Sequence, residues 1–277
     1  MKGKVFIIFN NIKLIATDMD HTLLTEVGEL PPQLNNYIYK LNKLNIDFAI
    51  ASGRPLYTLT DIFSNLKNKM VFISDNGGVI SYKGTIIAKS LLSTYDYHSM
   101  INFVEQETDG IPILCALNTA FLSKQNIEYD NFLKTFYSKI SYVDNLNSIE
   151  EEADKFTVYF PRKNSKKYFT EVFEPKYGKK FSVTVGDTIW IDIMNLGIDK
   201  GNAMQILAEK LDITSDQMMA FGDTYNDIEM LQTVKYSYIV KNASSDMRKY
   251  ANFETETNDN YGVIKILDQV VNNKLEK

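Results

Sequence analysis

Three apolar segments of this chain, Ile12 to Thr17, Ile46 to Ala51 and Met218 to Gly222, each run straight into a residue that carries chemistry: Asp18, Ser52 and Asp223. Short apolar runs of this kind read as buried strands. Helical spacing separates them. A helix is expected over Pro32 to Leu44, with Leu34, Tyr37, Ile38, Leu41 and Leu44 on one face, and another over Leu56 to Leu66 before a strand at Val71 to Ser74. The rhythm resumes with a helix over Lys200 to Leu211, the strand Met218 to Gly222, a short helix near Asp227 to Leu231 and a strand over Tyr236 to Val240. Alternating strands and helices imply a parallel sheet covered by helices, and such sheets bind ligands at the carboxyl ends of their strands.

The spacing of these sites also predicts an insertion. Ser52 and Lys200 lie 148 positions apart, whereas 34 positions separate Asp18 from Ser52 and 23 separate Lys200 from Asp223. The expected fold is therefore α/β, a Rossmann-like parallel-sheet core from residues 1–83 and 195–277 with an α/β cap inserted at 84–194. Within the insertion, strands are expected at Ile111 to Leu117, Lys155 to Phe160, Phe181 to Val185 and Thr188 to Met194, and helices near Tyr95 to Glu107, Tyr129 to Tyr137 and Ser165 to Phe173. Val185-Gly186-Asp187-Thr188 has the composition of a hairpin turn.

The strand ends hold a coherent set of groups. Asp18 and Asp20 would share a face if the strand stayed extended, and two carboxylates that close repel unless a cation or a proton lies between them. Mg²⁺ suits such a pair, because it takes oxygen ligands from one or two carboxylates and leaves room for phosphate. Asp-x-Asp alone is equally the composition of a solvated turn. Ser52-Gly53-Arg54 adds a hydroxyl and open amide donors at the next strand end. Asp199-Lys200-Gly201-Asn202-Ala203 opens a helix with a compact cation at its start, and Gly222-Asp223-Thr224-Tyr225-Asn226-Asp227 ends a third strand on carboxylates.

In this order, Asp18-Met19-Asp20-His21-Thr22, Ser52-Gly53-Arg54, Asp199 to Ala203 and Gly222 to Asp227 resemble the motifs of the haloacid dehalogenase superfamily of phosphotransferases. Asp75-Asn76-Gly77-Gly78, Lys241-Asn242-Ala243 and Asn258-Asp259-Asn260-Tyr261-Gly262-Val263 resemble its Cof-type branch, with a class II, type B cap. The anchors frame nearly the whole chain, although residues 84–190 carry no motif of their own. The resemblance implies Asp18 as nucleophile, forming an aspartyl phosphate, and Asp20 as acid and base. It implies Mg²⁺ held by the Asp18 side chain, the Asp20 backbone carbonyl and the Asp223 carboxylate, with Asp227 at the same cluster. Ser52, the Gly53 amide, Lys200 and Asn226 would hold phosphoryl oxygens, and Met19, Arg54 and Asn76 join the implied substrate-binding set. His21 departs from the family, which has glycine there; histidine tolerates unusual backbone angles, so a turn residue and a functional histidine both remain open.

Composition narrows the class. The 277 residues are 44% hydrophobic, enough for one large or two moderate domains. A net charge of −5 with no long basic run argues against a general nucleic-acid binder. The lone Cys115 cannot form an internal disulfide and reads as a small core residue of a cytoplasmic protein. Lys2 and Lys4 precede the apolar stretch Val5 to Phe9, which is too short for a secretion signal and reads as an irregular extension or a prior strand; nothing approaches membrane-spanning length. The expected partner is a small phosphorylated metabolite, with the chain a monomer or weak homodimer.

The remaining outliers have plain readings. Trp190, Tyr95, Tyr97, Phe103, Phe132, Phe136 and Tyr137 read as cap core rather than as a base-stacking platform. His98 lacks a second metal ligand at suitable spacing and reads as a surface or capping residue. Met218 and Met219 read as sheet packing, and Arg162, Lys163, Lys166 and Lys167 as a solvated helix end or, alternatively, cations facing an anionic substrate. The leading expectation is a Mg²⁺-dependent phosphatase of a sugar phosphate or phosphorylated cofactor. A phosphomutase and a non-enzymatic sensor of phosphorylated ligands are the alternatives.

Overall fold

In the computed structural model, which describes residue 9, residues 11–186 and residues 188–275, the chain divides into two compact units. One comprises Met1–Ser52, Leu66–Val71 and Lys200–Lys277, and the other Gly53–Asn65 and Phe72–Asp199. The strands are β1 (Leu14–Thr17), β2 (Asp47–Ala51), β3 (Val71–Ser74), β4 (Val79–Tyr82), β5 (Thr85–Lys89), β6 (Ile111–Ala116) and β7 (Ala120–Ser123). They continue as β8 (Ile140–Val143), β9 (Ala153–Tyr159), β10 (Phe181–Gly186), β11 (Trp190–Asn195), β12 (Met218–Gly222), β13 (Tyr236–Val240) and β14 (Phe253–Thr255). The helices are α1 (Leu34–Lys43), α2 (Leu56–Ile62), α3 (Thr94–Glu107), α4 (Asp130–Leu133), α5 (Ser165–Tyr168), α6 (Glu174–Tyr177), α7 (Lys200–Leu211), α8 (Ile228–Thr233) and α9 (Gly262–Leu275). A π-helical turn at Phe169–Phe173 joins α5 to α6.

In the first unit, strands pair in parallel in the order β14-β13-β12-β1-β2. Thr17 lies level with Phe221 on one side and Ile50 on the other, so β12, β1 and β2 all end at one edge. All four residues of β1 and all five of β12 are buried, as expected of parallel strands with both faces covered. Helix α1 buries Leu34, Ile38 and Leu41, the stripe that 3.6-residue spacing places on one side. It stops at Asn45, which adopts the left-handed conformation at φ 55°. The Ile46 amide then reaches the Leu41 carbonyl (2.9 Å) and the Asn45 amide the Asn42 carbonyl (3.1 Å), satisfying the last carbonyls and feeding the chain into β2.

In the second unit, β4 and β5 form an antiparallel pair, and a six-stranded sheet runs β10-β11-β9-β6-β7-β8. Pairing within it is antiparallel except between β7 and β8. Central strand β9 is buried at every position. Its Phe156, Val158 and neighbouring Phe160 pack with Tyr97, Ile101 and Val104 of α3 and with Phe173 and Tyr177. Its other face meets Ile113, Cys115, Leu122, Leu133 and Tyr137.

The α/β architecture with parallel core and inserted cap is as the sequence predicts, and β3, α7, β12 and β13 have the expected bounds. Strands β4, β5, β7, β8 and β14 and helix α9 have no counterpart among the elements the sequence predicts. The Tyr129 to Tyr137 helix shrinks to α4, preceded by a 3₁₀ turn at Lys124–Tyr129. Tyr95 is 81% exposed and Phe132 37% exposed, so neither belongs to the cap core; Tyr97 and Tyr137 do. Cys115 is buried, as are Met218 and Met219. His98 donates from Nε2 to the Ile149 carbonyl (2.8 Å). The expected strand or extension at Val5 to Phe9, apart from Phe9, lies outside the described residues, as does Asp187 of the expected Val185 to Thr188 turn. No helix among the described residues is long and apolar enough to cross a membrane.

Candidate active site

The shared strand edge of the first unit delivers the carboxylates. The Asp18 amide still belongs to the sheet, donating to the Phe221 carbonyl (2.9 Å), while its side chain leaves the end of β1 in a buried position. Lys200, the first residue of α7 and fully buried, places Nζ 2.5 Å from Asp18 Oδ1 and 2.7 Å from Asp227 Oδ1. The other Asp227 oxygen accepts the amides of Asp223 (2.9 Å) and Thr224 (3.2 Å). Asp227 thereby fixes the loop that carries Asp223. Glycine at 222 makes room for this, because a Cβ there would fall 2.6 Å from Asp227 Cβ. Thr22 donates its hydroxyl to Asp223 Oδ1 (2.8 Å).

Asp18, Asp223 and Asp227 each offer a carboxylate oxygen, and these oxygens lie within 4.8 Å of one another. Burial pushes the Asp18 carboxyl well up; Lys200 opposes this, and Asp227 and Asp223 add to it. Burial, then the Asp227 charge, pushes Asp223 up to about 6. Burial pulls the Lys200 ammonium down, but the Asp18 and Asp227 charges outweigh it, so Lys200 stays cationic. The lysine therefore does not by itself hold Asp18 in the ordinary carboxylate range. Three hard oxygen donors, with the Asp18 and Asp223 carboxyls pushed up by burial and by neighbouring charge, form a set that fits a hard divalent cation.

Asp20 differs from the extended geometry expected of it. Strand β1 stops at Thr17, and the Met19 carbonyl accepts the amides of Leu23 (3.1 Å) and Leu24 (2.8 Å), so Asp20 opens a turn rather than alternating along a strand. Its carboxylate is outside the group of three. His21 has φ 60°, the left-handed region that glycine favours, which accounts for the position as a turn residue. Met19 and Ser52 are buried, and Asn226 lies half-buried in the turn before α8. These residues share the first unit with Asp18, Lys200, Asp223 and Asp227.

Gly53, Arg54 and Asn76 belong to the second unit. A Cβ on Gly53 would lie 3.3 Å from the Asn76 amide group, and the Arg54 carbonyl accepts the Asp75 amide (3.0 Å). The Arg54 guanidinium donates to the Thr135 carbonyl (2.8 Å) and stands 5.5 Å from the centre of the Phe136 ring. Asp75, Asn76 and Gly77 all have positive φ, at 48°, 53° and 110°. A left-handed non-glycine residue costs on the order of 1–3 kcal/mol, so two in succession require strong local support. Lys155 supplies it, a residue with no expected role beyond the β9 strand. Only 2% exposed, it donates to the Gly53 carbonyl (2.6 Å) and lies 2.9 Å from Asp75 Oδ1 and 3.8 Å from Asp192 Oδ2. Burial lowers its proton affinity, but Asp192 and Asp75 reverse this and hold it charged.

The chain matches the haloacid dehalogenase-like hydrolase family over residues 15–267. It is 27% identical over 274 residues to an Escherichia coli K12 protein named 5-amino-6-(5-phospho-D-ribitylamino)uracil phosphatase YbjI, covering 94% of this chain and 97% of the relative. A Bacillus subtilis 168 phosphatase of the same activity, YcsE, is 27% identical over 263 residues, covering 93% and 95%. Among solved structures, a protein of Streptococcus mutans UA159 superposes with a TM-score of 0.87 at 29% identity, covering 94% of this chain and 99% of that one. The subclass IIB sugar phosphatase BT4131, at 19% identity and a TM-score of 0.76, shares the fold, with 92% and 98% covered. Spanning nearly the full length of its relatives, the chain belongs to the haloacid dehalogenase-like hydrolases and is a Cof-type phosphatase of that family.

Proposed function

We propose that the protein is a Mg²⁺-dependent hydrolase of a small phosphate monoester, with Asp18 as nucleophile, and that its substrate is 5-amino-6-(5-phospho-D-ribitylamino)uracil or a closely similar ribityl phosphate. The observation that carries the chemistry is the buried Asp18 carboxylate, gripped by Lys200 and grouped with Asp223 and Asp227. Two relatives that span nearly the whole chain bear the substrate in their names. In this reading residues 84–194 are the cap that selects the leaving group, and residues 1–83 with 195–277 are the core.

When bound, Mg²⁺ supplies positive charge that offsets the carboxylates and the phosphoryl oxygens. Asp18, the Asp20 carbonyl and Asp223 are the residues to hold it, with Asp227 placing Asp223 through the amide it accepts. An Asp18 oxygen attacks phosphorus while Asp20 gives its proton to the departing ribityl oxygen, leaving an aspartyl phosphate. Asp20 then takes a proton from water as that water attacks phosphorus, and the P–O bond to Asp18 breaks to release inorganic phosphate. Ser52, the Gly53 amide, Lys200 and Asn226 hold the remaining phosphoryl oxygens, where fixed donors stabilise developing charge. Met19, Arg54 and Asn76 complete the substrate-binding set.

The test is release of inorganic phosphate from the ribitylaminouracil phosphate and from a panel of sugar phosphates, with Mg²⁺ and after exhaustive chelation. Turnover that needs Mg²⁺, favours the ribityl substrate and vanishes in a folded Asp18→Asn variant is expected. Asp18→Asn activity near that of wild type, or full activity without metal, overturns the reading. An isomeric phosphate ester in place of free phosphate would make the protein a mutase.

A further inference from the structure

The loop that follows the nucleophile is held by two asparagines from distant parts of the chain. Strands β13 and β14 end at the same sheet edge as β12, and the segments after them carry Asn242 and Asn258. Asn242 donates from Nδ2 to the His21 carbonyl (2.7 Å), and its Oδ1 accepts the Asn258 amide (3.0 Å). Asn258, 1% exposed, donates from Nδ2 to the Leu24 carbonyl (2.9 Å) and to Glu26 Oε1 (2.9 Å). Asp259 accepts the Glu26 amide (2.9 Å). The two asparagines thus brace one another and grip residues 21–26 from two sides.

This grip falls on the turn that follows β1. His21 is held left-handed at a cost on the order of 1 kcal/mol, and Asp20, which precedes it, sits in a turn outside the sheet. A general acid must keep its oxygen within hydrogen-bond reach of the leaving atom, and a shift of about 1 Å at such a group costs up to about a hundredfold in rate. Sheet hydrogen bonding fixes Asp18. The Asn242 bond to the His21 carbonyl tethers the turn that carries Asp20 from a distant part of the chain. We infer that Asn242 and Asn258 are positioning residues that hold Asp20 in place for proton transfer, an inference that rests on Asp20 being the acid.

The test compares kcat, at saturating Mg²⁺, for an alkyl phosphate such as ribitol 5-phosphate and an activated aryl phosphate such as p-nitrophenyl phosphate. An alkoxide needs the proton and nitrophenolate does not, so loss of the acid lowers the alkyl-to-aryl ratio. Asp20→Asn is the reference, and Asn242→Ala, at an exposed position, and Asn258→Ala are the probes. In each probe the ratio should fall about tenfold, part of the hundredfold or more that acid catalysis contributes. In the Asp20→Asn background, Asn242→Ala should lower it no further, since the group being placed is gone. A merely structural asparagine scales both substrates equally. If Asp20→Asn lowers the ratio and both asparagine variants leave it unchanged, or if the losses add fully in the double variant, the inference is wrong and Asp20 remains the acid. If Asp20→Asn itself leaves the ratio unchanged, the acid assignment falls and the inference with it.

Discussion

At the scale of single residues, the site is a balance of like charges around one lysine. Lys200 touches Asp18 and Asp227 but leaves Asp223, which lies within 4.8 Å of both, tied to the hydroxyl of Thr22. With Asp223 pushed up to about 6, a proton competes with the cation for this group. The Mg²⁺ concentration for half-maximal rate should therefore rise as pH falls through about 6, by up to about tenfold per unit from Asp223 alone, with the raised Asp18 carboxyl adding to the competition. The sign for stability follows. Because the folded state of the cation-free protein binds this proton more tightly than the unfolded chain, the contribution is fully present below the ordinary carboxylate range and is lost as pH rises through about 6. Melting curves with and without Mg²⁺ should diverge over that window, the metal removing the loss; parallel curves would show that Asp223 does not ligate. Asp18, Lys200, Asp223 and Asp227 were legible because each ends a strand or begins a helix in a recognisable string. Lys155 was not. It sits in an ordinary strand pattern, and its partner Gly53 lies 102 positions away. The roles of Asn242 and Asn258 were equally hidden, since hydrogen bonds across more than two hundred residues leave no local trace.

At the scale of elements, close backbone approach explains which glycines the site needs. Gly201 stands in the first turn of α7, where a Cβ would fall 2.6 Å from the Glu229 backbone carbon and 2.7 Å from its oxygen. Alanine normally favours a helix over glycine by about 1 kcal/mol. The collision is with backbone of α8, which cannot rotate away, and overpacking of this kind costs about 1–3 kcal/mol. Gly201→Ala should thus lower stability to urea and displace Lys200, reducing kcat more than tenfold; a variant more stable than wild type would refute the packing account. Elements are legible in the sequence where apolar runs are bounded by turn or cap residues, as in β3, α7, β12 and β13. Strands β4, β5, β7, β8 and β14 have three to five residues, and β5 is exposed or half-buried throughout, so no alternation marked them. Helix α9 does carry apolar positions at helical spacing, Val263, Ile264, Leu267, Val270 and Val271, but its start overlaps the Asn258 to Val263 motif, which conceals it.

At the scale of the whole chain, 148 positions between Ser52 and Lys200 announce an insertion, while its internal architecture depends on pairings that join β9 to both β6 and β11. The buried charges on that sheet are a point of fragility. Removing the Lys155 ammonium strands Asp75 and Asp192, and breaking a buried pair in this way costs about 3–5 kcal/mol. Lys155→Met should shift the urea midpoint accordingly, and Asp75→Asn added to it should recover part of the loss; no shift would mean that the cluster is not coupled to folding. The covalent step itself can be trapped. Substrate labelled with ³²P at the phosphoryl group, mixed with an Asp20→Asn variant to slow hydrolysis and quenched in acid, should leave label on the protein. Borohydride reduction followed by mass spectrometry should then find homoserine at position 18, with neither signal in Asp18→Asn. Substrate turnover with no covalent label, or label on another residue, would mean that Asp18 is not the nucleophile.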